Sequence, residues 1–477
     1  MEFKRTLGLI DATSLVAGSM IGSGIFIVTS IMMRDIGSAG WLIVLWLLTG
    51  LITVFAALSY GELAGMMPGA GGQYVYIQRA YGKMASFLYG WTVFAVIQTG
   101  VIAAVAVAFA KYAGVFFPGL NNVFLELGAG LKFTYGQLFA IGSILVLTKL
   151  NSGGLEKGKW LQLIFTGAKL FALFSLIILG LAIGLSSDTF ADNFQDMWSA
   201  KQTIVNKDNS ITTVALTGFA LLGALGATII NSLFSSDAWN NVTFIAGEIK
   251  NPQKNIPRSL FLGTLIVTII YILANLGYLA LLPIKGSPNA PDAVGQGILF
   301  VFDDRLGSSA ASMIFGNTGV FMMAGLIMIS TFGCNNGLIL AGSRLFYAMS
   351  KDGLFFKKAG DLNKNSVPGN ALWIQCVWAS VLCLSGKYGD LLVYSTFASL
   401  LFYILTIWGI FILRKKEPDA DRPYKAFGYP IIPAIYILLT FAICVDLLIY
   451  DWKNAGMGLL IVLLGIPVYF IANRKTA

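Results

Sequence analysis

The chain has 477 residues, of which 57% are hydrophobic and only 12% are charged, and its formal net charge at pH 7 is +9. This composition is typical of a protein that crosses a membrane several times, and it excludes an ordinary soluble domain. The chain contains no histidine, so imidazole-based catalytic or metal sites are impossible. Neither a metal nor a cofactor is expected.

Twelve apolar segments long enough to span a membrane follow one another along the chain. A spanning helix needs about 20 mostly apolar residues, and polar or Pro/Gly-rich stretches separate such runs here. The sequence therefore predicts an all-α polytopic membrane protein with 12 transmembrane helices. The predicted spans lie near residues 9–33, 40–65, 86–117, 133–150, 160–184, 212–247, 258–282, 311–349, 370–386, 390–414, 430–450 and 455–472.

The distribution of Lys and Arg predicts the orientation of these spans. Cytoplasmic loops retain positive charge, and 21 of the 32 Lys and Arg residues fall on the side shared by both termini, against 8 on the other side. Both termini are therefore predicted to be cytoplasmic, in an integral protein of a bacterial plasma (inner) membrane surrounded by membrane lipid. The positive net charge is a signal of topology, and nucleic-acid binding is not expected.

The first span contains the sequence GSMIGSGIF, from Gly18 to Phe26. Each glycine inside a helix costs about 1 kcal/mol relative to alanine. Non-helical backbone at membrane depth survives only where it is buried in protein or lines a cavity. The segment therefore predicts either a helix break at a ligand site or a close contact between helices, since small residues let backbones approach.

The sixth span is interrupted by a cluster of polar residues. Ser, Asp and Asn side chains compete for local backbone hydrogen bonds and favour departures from helix. Spans 1 and 6 occupy corresponding places if spans 1–5 and 6–10 are two halves, and paired interruptions of this kind point to a binding site in a transporter. The clustered residues are Ser235, Ser236, Asp237, Asn240 and Asn241.

Four motifs in the first 260 residues form a recognisable set. They are GSMIGSGIF, YGELAGMMPGAGGQYVYIQRAYG from Tyr60 to Gly82, FSSDAWN from Phe234 to Asn240, and GEIKNPQKNIPRSL from Gly247 to Leu260. Together they resemble amino-acid permeases of the amino acid-polyamine-organocation (APC) superfamily, and in particular the L-amino-acid transporter branch and its bacterial relatives.

This resemblance implies the LeuT-type fold, a 5+5 inverted repeat with broken helices 1 and 6. The first repeat would occupy residues 1–185 and the second repeat residues 186–415. Two accessory helices would follow at 416–477.

The resemblance also implies that an α-amino acid binds between the two breaks. Backbone N–H groups freed near Ser23 and Gly24 would hold its carboxylate at the positive end of a half-helix, and carbonyl groups freed nearby would accept from its ammonium. The carbonyls concerned are those of Met20, Ile21 and Phe234. The full set expected to bind substrate is Met20, Ile21, Ser23, Gly24, Phe234, Ser235, Asp237 and Tyr278.

Several of these residues have an alternative interpretation. Phe234 is expected to cover the substrate as a gate, or else to pack in the core, and Trp239 either shapes the pocket or packs. Tyr278 lines the substrate path or packs. Asp237 attracts the ligand ammonium, holds a proton, or stabilises the break. Helix 6 lacks the glycines that the family has here, so the point where it opens is left undecided.

Lys169 lies near the middle of the fifth span, where the path for snorkelling to an interface is long. In the family a lysine at this place bridges helix 1 to helix 8 where sodium-coupled relatives hold a sodium ion. Its expected partners are the Gly18 carbonyl and the Ser330 hydroxyl. The resemblance therefore implies sodium-independent exchange of neutral L-amino acids by alternating access. The alternatives are proton-coupled symport and a non-transporting amino-acid sensor; an enzyme is not expected.

Two further features concern the loops and the partners of the chain. Glu62 and Arg79 either pair in an inner gate or belong to a solvated surface. The four cysteines all fall in apolar spans, which predicts packed thiols, and no obligatory disulfide-linked subunit is expected. The oligomeric state is left open. The cysteines are Cys334, Cys376, Cys383 and Cys444.

Overall fold

The computed structural model describes residues 5–127, 131–206, 210–385 and 388–473, and most of these are helical. Among the charges counted for orientation, Lys4, Lys207, Lys387, Arg474 and Lys475 lie outside the described residues. The orientation of the chain therefore stays a prediction.

The helices follow the predicted spans in order. Those of the first part of the chain are α1 (Leu9–Met20), α2 (Gly24–Ile36), α3 (Ala39–Met66), α4 (Gln73–Tyr81), α5 (Lys83–Thr92), α6 (Gln98–Ala113), α7 (Tyr135–Ser152), α8 (Leu155–Gly184) and α9 (Asp188–Gln195). Those of the second part are α10 (Gly218–Ser235), α11 (Asn241–Phe244), α12 (Pro252–Leu281), α13 (Ala293–Gln296), α14 (Leu306–Lys351), α15 (Gly369–Ser385), α16 (Tyr388–Lys416), α17 (Ile431–Tyr450) and α18 (Trp452–Asn473).

Ten helical segments of the described chain are long and apolar enough to cross a membrane, with α1 and α2 counted as one. The chain is therefore a polytopic membrane protein. The spans predicted near 133–150 and 370–386 coincide with helices α7 and α15, which are not among the ten. Both the count of twelve and the 5+5 arrangement stay predictions.

Two β-hairpins correct the expectation of a purely helical chain. Strand β1 (Val123–Leu127) pairs antiparallel with β2 (Leu131–Thr134), and β3 (Lys201–Val205) pairs with β4 (Ile211–Ala215). Strand β4 contains the residues predicted to begin the sixth span, and the helix starts only at Gly218. The run of Ile, Thr and Val at 211–214 is apolar enough to extend a hydropathy window, but β-branched residues favour a strand.

The third span contains an irregular turn that the sequence does not signal. A π-helix at Val93–Ile97 joins α5 to α6. The Thr99 hydroxyl donates to the carbonyl of Phe94, five residues earlier, at 2.6 Å. Turns of this kind occur mostly as single bulges inside α-helices and often at functional sites.

Close packing of α3 against α12 buries the Tyr271 side chain of α12. A side chain at Gly50 would overlap Thr268 of α12. About one turn away along each helix, the rings of Trp46 and Tyr271 meet edge to face with centroids 5.4 Å apart. Close backbone approach through small residues is the usual means of helix packing in membranes.

Candidate functional site

The first span is broken where its glycines predict a break. Helix α1 ends at Met20, α2 begins at Gly24, and the three residues between them are not helical. The Lys169 ammonium lies 2.7 Å from the carbonyl oxygens of both Gly18 and Ile21, and its side chain is fully buried. The contact expected between Lys169 and Gly18 is therefore present.

Helix α14 closes the other side of the break. The Ser330 hydroxyl donates to the Ile21 carbonyl at 3.4 Å, so that it shares this oxygen with Lys169. One turn further on, the Cys334 thiol donates to the Ser19 carbonyl at 3.1 Å. The lysine thus connects α8 to the broken span, and α14 reaches the same backbone. Any role of these contacts in coupling stays a prediction.

The sixth span opens at Ala238 although no glycine is present there. Helix α10 ends at Ser235 and α11 begins at Asn241. Between them Ala238 has φ +65°, in the left-handed region that residues with a side chain rarely adopt. Strained backbone of this kind persists only where the surrounding structure determines it, and it clusters at functional sites.

The two breaks face each other at Gly24 and Ser235. A Cβ atom at position 24 would overlap the Ser235 hydroxyl and lie 2.9 Å from the Ser235 Cα. The glycine is therefore required by a close approach of α2 and α10. This contact matches one of the two interpretations of GSMIGSGIF, a close contact between helices.

Tyr271 of α12 joins the same two breaks and is not among the site residues predicted from the sequence. Its hydroxyl lies 3.0 Å from the carbonyl oxygens of both Met20 and Ser235 and donates between them. A tyrosine inside an apolar span is the available signal, but the residue predicted from the sequence is Tyr278, two turns further on. Tyr278 is buried, and among the described residues its hydroxyl has no hydrogen-bond partner.

The three carbonyls expected to receive a ligand ammonium all accept protein hydrogen bonds here. Met20 accepts from the Tyr271 hydroxyl and Ile21 from the Lys169 ammonium. Phe234 accepts from the backbone N–H of Asp237 at 3.2 Å. A carbonyl oxygen has two lone pairs, and the Ile21 oxygen already accepts from both the Lys169 ammonium and the Ser330 hydroxyl.

Asp237 belongs to a buried polar network. Its Oδ1 accepts from the Tyr403 hydroxyl of α16 at 2.5 Å. The Gln73 Oε1 accepts from Tyr89 at 3.0 Å and from Asn240 at 2.8 Å, and the Gln73 amide donates to Thr406 of α16 at 3.0 Å. Gln73, in the motif from Tyr60 to Gly82, therefore contacts Asn240 in the sixth-span break. The sequence did not predict this contact.

A small cavity lies against this network. Its volume is about 20 Å³, which is space for a water molecule rather than for an amino acid. Helices α6, α14 and α16 complete its wall, together with the π-helix. Its polar lining includes Gln73, Tyr89, Gln98, Asp237, Ser399 and Tyr403.

Phe234 and Trp239 are both buried beside the sixth-span break. Phe234 is 7% exposed and belongs to the hydrophobic core. The Trp239 ring packs edge to face against Tyr60, with centroids 4.7 Å apart, and lies 5.3 Å from the Tyr403 ring. These contacts match the packing interpretation of each residue, and the gating role of Phe234 stays a prediction.

The suggested pair of Glu62 with Arg79 is not formed, because each residue has a different partner. Glu62 is buried and its Oε2 lies 2.6 Å from the Arg414 guanidinium. The same oxygen accepts from the Ala426 N–H at 2.7 Å. Arg79 instead binds Glu417, just after α16, at 2.5 Å. Glu62 and Arg79 are thus each bound by residues of α16 or of the loop that follows it, and not by each other.

The cysteines are buried and free, as predicted. Among the described residues, no group of three or more His, Cys, Asp or Glu side chains could hold a metal ion. The polar groups of the site are therefore backbone carbonyls, hydroxyls, amides, one buried ammonium and one buried carboxyl.

A profile of amino acid permeases matches residues 7–467, almost the whole chain. The chain belongs to the amino acid permease family. A serine/threonine exchanger of Bacillus subtilis is 30% identical to this permease over an alignment of 477 positions, which covers 99% of this chain and 98% of the exchanger.

Mammalian proteins are similar over the same length. The human large neutral amino acids transporter small subunit 2 is 30% identical over 99% of this permease and 81% of its own length. The mouse b(0,+)-type amino acid transporter 1 is 27% identical over 98% and 88%. The family and these relatives are transporters and not enzymes.

Proposed function

We propose that this permease is a secondary transporter that moves neutral L-amino acids by alternating access, as a sodium-independent exchanger. Family membership supports amino-acid transport. The names of the relatives, a serine/threonine exchanger and a large neutral amino acids transporter, favour exchange and neutral substrates.

The observation on which sodium independence rests is the position of Lys169. Its ammonium lies 2.7 Å from two main-chain carbonyl oxygens of the broken span, which are hard oxygen ligands of the kind that alkali cations bind. A second cation about 4 Å away would be repelled by about 4 kcal/mol at an effective dielectric near 20. That repulsion weakens cation binding roughly a thousandfold.

We propose that the substrate carboxylate binds at the start of α2, near Ser23 and Gly24, with its ammonium at the carbonyls around Ile21. Because Gly24 lies against Ser235, α2 and α10 must separate there for the substrate to enter. That separation is a movement of the two half-helices, as alternating access requires.

The proposal is tested by uptake of radiolabelled alanine, serine and leucine into proteoliposomes preloaded with unlabelled amino acid. Exchange should continue when choline replaces sodium on both sides, and Lys169→Ala should abolish it. Lys149→Gln, at an exposed lysine of α7, is the matched control and should be neutral. Collapse of exchange in choline for every substrate would refute the role of Lys169.

Proton-coupled symport through Lys169 or Asp237 is the second candidate, favoured by the burial of both ionisable side chains beside the broken spans. An inward proton gradient across empty vesicles distinguishes it, because a symporter accumulates substrate there and an exchanger does not. A sensor would bind amino acids without moving them in either assay.

The architecture is part of the same proposal. We propose a LeuT-type arrangement in which residues 1–185 and 186–415 are inverted repeats and 416–477 adds two accessory helices. The breaks at 21–23 and 236–240 support it. A bacterial plasma membrane with both termini cytoplasmic completes it, and protease accessibility of terminal tags in sealed inverted vesicles tests the orientation.

A further inference from the structure

An apolar groove lies on the outer surface of the permease, between the π-helix of the third span and the first turns of α15. Its volume is about 670 Å³. Its wall is formed by Phe94, Phe356, Trp373, Ile374, Val377 and Trp378. Several of these side chains are exposed, among them Val377 at 63%. In a membrane protein such a surface faces lipid.

The rim of the groove is positively charged. Lys357 and Lys358, in the loop between α14 and α15, line it and are both exposed. No ion pair in the described part of the chain includes either lysine. The nearest acidic residue in sequence is Asp361, whose N–H donates to the Lys358 carbonyl at 3.4 Å.

The two tryptophans place the groove at a membrane surface. Trp373 and Trp378 lie in the first three turns of α15, just inside the loop that contains the lysines. Tryptophan is enriched at the level of lipid headgroups, and basic pockets between membrane helices bind anionic headgroups. The apolar wall matches the acyl chain of a phospholipid, and the two lysines at the rim match its phosphate.

We propose that this groove binds an anionic phospholipid, with its phosphate at Lys357 and Lys358 and an acyl chain against Trp373 and Trp378. The bound lipid would touch the outer side of the π-helix through Phe94. The Trp378 indole donates to the Ala95 carbonyl of that turn at 3.0 Å. Val93 and Ile97 of the same turn line the cavity at Asp237.

The test is a titration of phosphatidylglycerol into the purified full chain in neutral detergent, followed by native mass spectrometry, with phosphatidylcholine as the uncharged comparison. The Lys357→Gln, Lys358→Gln double variant should bind phosphatidylglycerol roughly thirtyfold more weakly. Lys250→Gln combined with Lys364→Gln, which removes two other exposed lysines, should leave it unchanged.

A second variant separates the groove from simple surface charge. Val377→Trp places a larger side chain in the groove while both lysines remain. It should also weaken phosphatidylglycerol binding at least tenfold. Three results would overturn the proposal: equal binding of the two lipids by the unmodified chain, equal losses in both lysine double variants, or full binding by Val377→Trp.

Discussion

Gly24 and Ser235 bring the two broken spans into contact, because a Cβ atom at position 24 would overlap the Ser235 hydroxyl and lie 2.7 Å from the Ser235 Cβ. The contact joins the first turn of α2 to the last residue of α10. The sequence predicts that Gly24 leaves room for a ligand. In this structure that room is occupied by the neighbouring half-helix.

Gly24→Ala should therefore reduce stability as well as transport. The added methyl group forces α2 and α10 apart, and overpacking of this kind costs about 1–3 kcal/mol. The measurement is thermal unfolding in detergent together with exchange in proteoliposomes. Gly167→Ala, where a Cβ meets nothing within 4 Å, is the control. Wild-type stability and transport in Gly24→Ala would contradict the close approach.

Tyr271→Phe should destabilise the protein, whereas Tyr278→Phe should not. The Tyr271 hydroxyl lies between two buried carbonyls, and losing it leaves both without this donor at a cost of about 1–2 kcal/mol. The Tyr278 hydroxyl has no partner in the described chain, although its ring is equally buried. Equal unfolding midpoints for the two variants would show that the bridge contributes nothing.

Asp237→Asn separates the charge of this residue from its hydrogen bond. The amide oxygen still accepts from Tyr403, so we expect the fold to persist. If the carboxylate attracts the ammonium or holds a proton, transport should fall roughly tenfold or more, since a hydrogen bond to a charged group contributes about 1.5–3 kcal/mol. Initial rates between pH 5 and 8 are the measurement. An unchanged rate and pH profile would leave only the structural role.

The pair of Arg79 with Glu417 predicts a small dependence of stability on acid. The hydrogen bond from Arg79 holds the pKa of Glu417 below its ordinary value. A depressed carboxyl pKa stabilises the fold above the ordinary value, and this contribution is lost as the pH falls through the lowered one. Unfolding midpoints from pH 7 to 3 should thus fall less steeply in Glu417→Gln.

The size of that effect is limited, because both side chains are about one-third exposed and exposed pairs contribute at most about 1 kcal/mol. Asp361→Asn, at an exposed carboxyl with no ion pair in the described chain, is the control. If the unfolding midpoints of Glu417→Gln and of the unmodified chain fall equally between pH 7 and 3, the pair does not contribute to stability.

The position of the cysteines predicts that transport needs no covalently linked subunit. All four are buried in helices, where no thiol can reach a second chain. The purified chain should therefore exchange amino acids on its own after reconstitution, and replacement of all four cysteines by alanine should leave no difference on non-reducing gels. Activity that appears only when a second protein is added would contradict this.

The sequence by itself determined the class of protein, the order of its spans and the site of the first break. Hydropathy and length decide which segments cross a membrane. The three glycines of GSMIGSGIF destabilise a continuous helix. The position of Lys169 near the middle of an apolar span likewise predicted a buried side chain, and it is buried. These are local properties, which one stretch of chain fixes by its composition.

Only the tertiary structure decided which groups meet. Tyr271, Gln73 and Tyr403 reach the breaks from helices or loops far away in sequence, and a tyrosine or glutamine has no local pattern that names its partner. The opening of the sixth span at Ala238 is of the same kind, since its positive φ is imposed by the packing around it. Partners fixed by packing between distant segments leave no trace in local composition, because each segment alone is compatible with many neighbours.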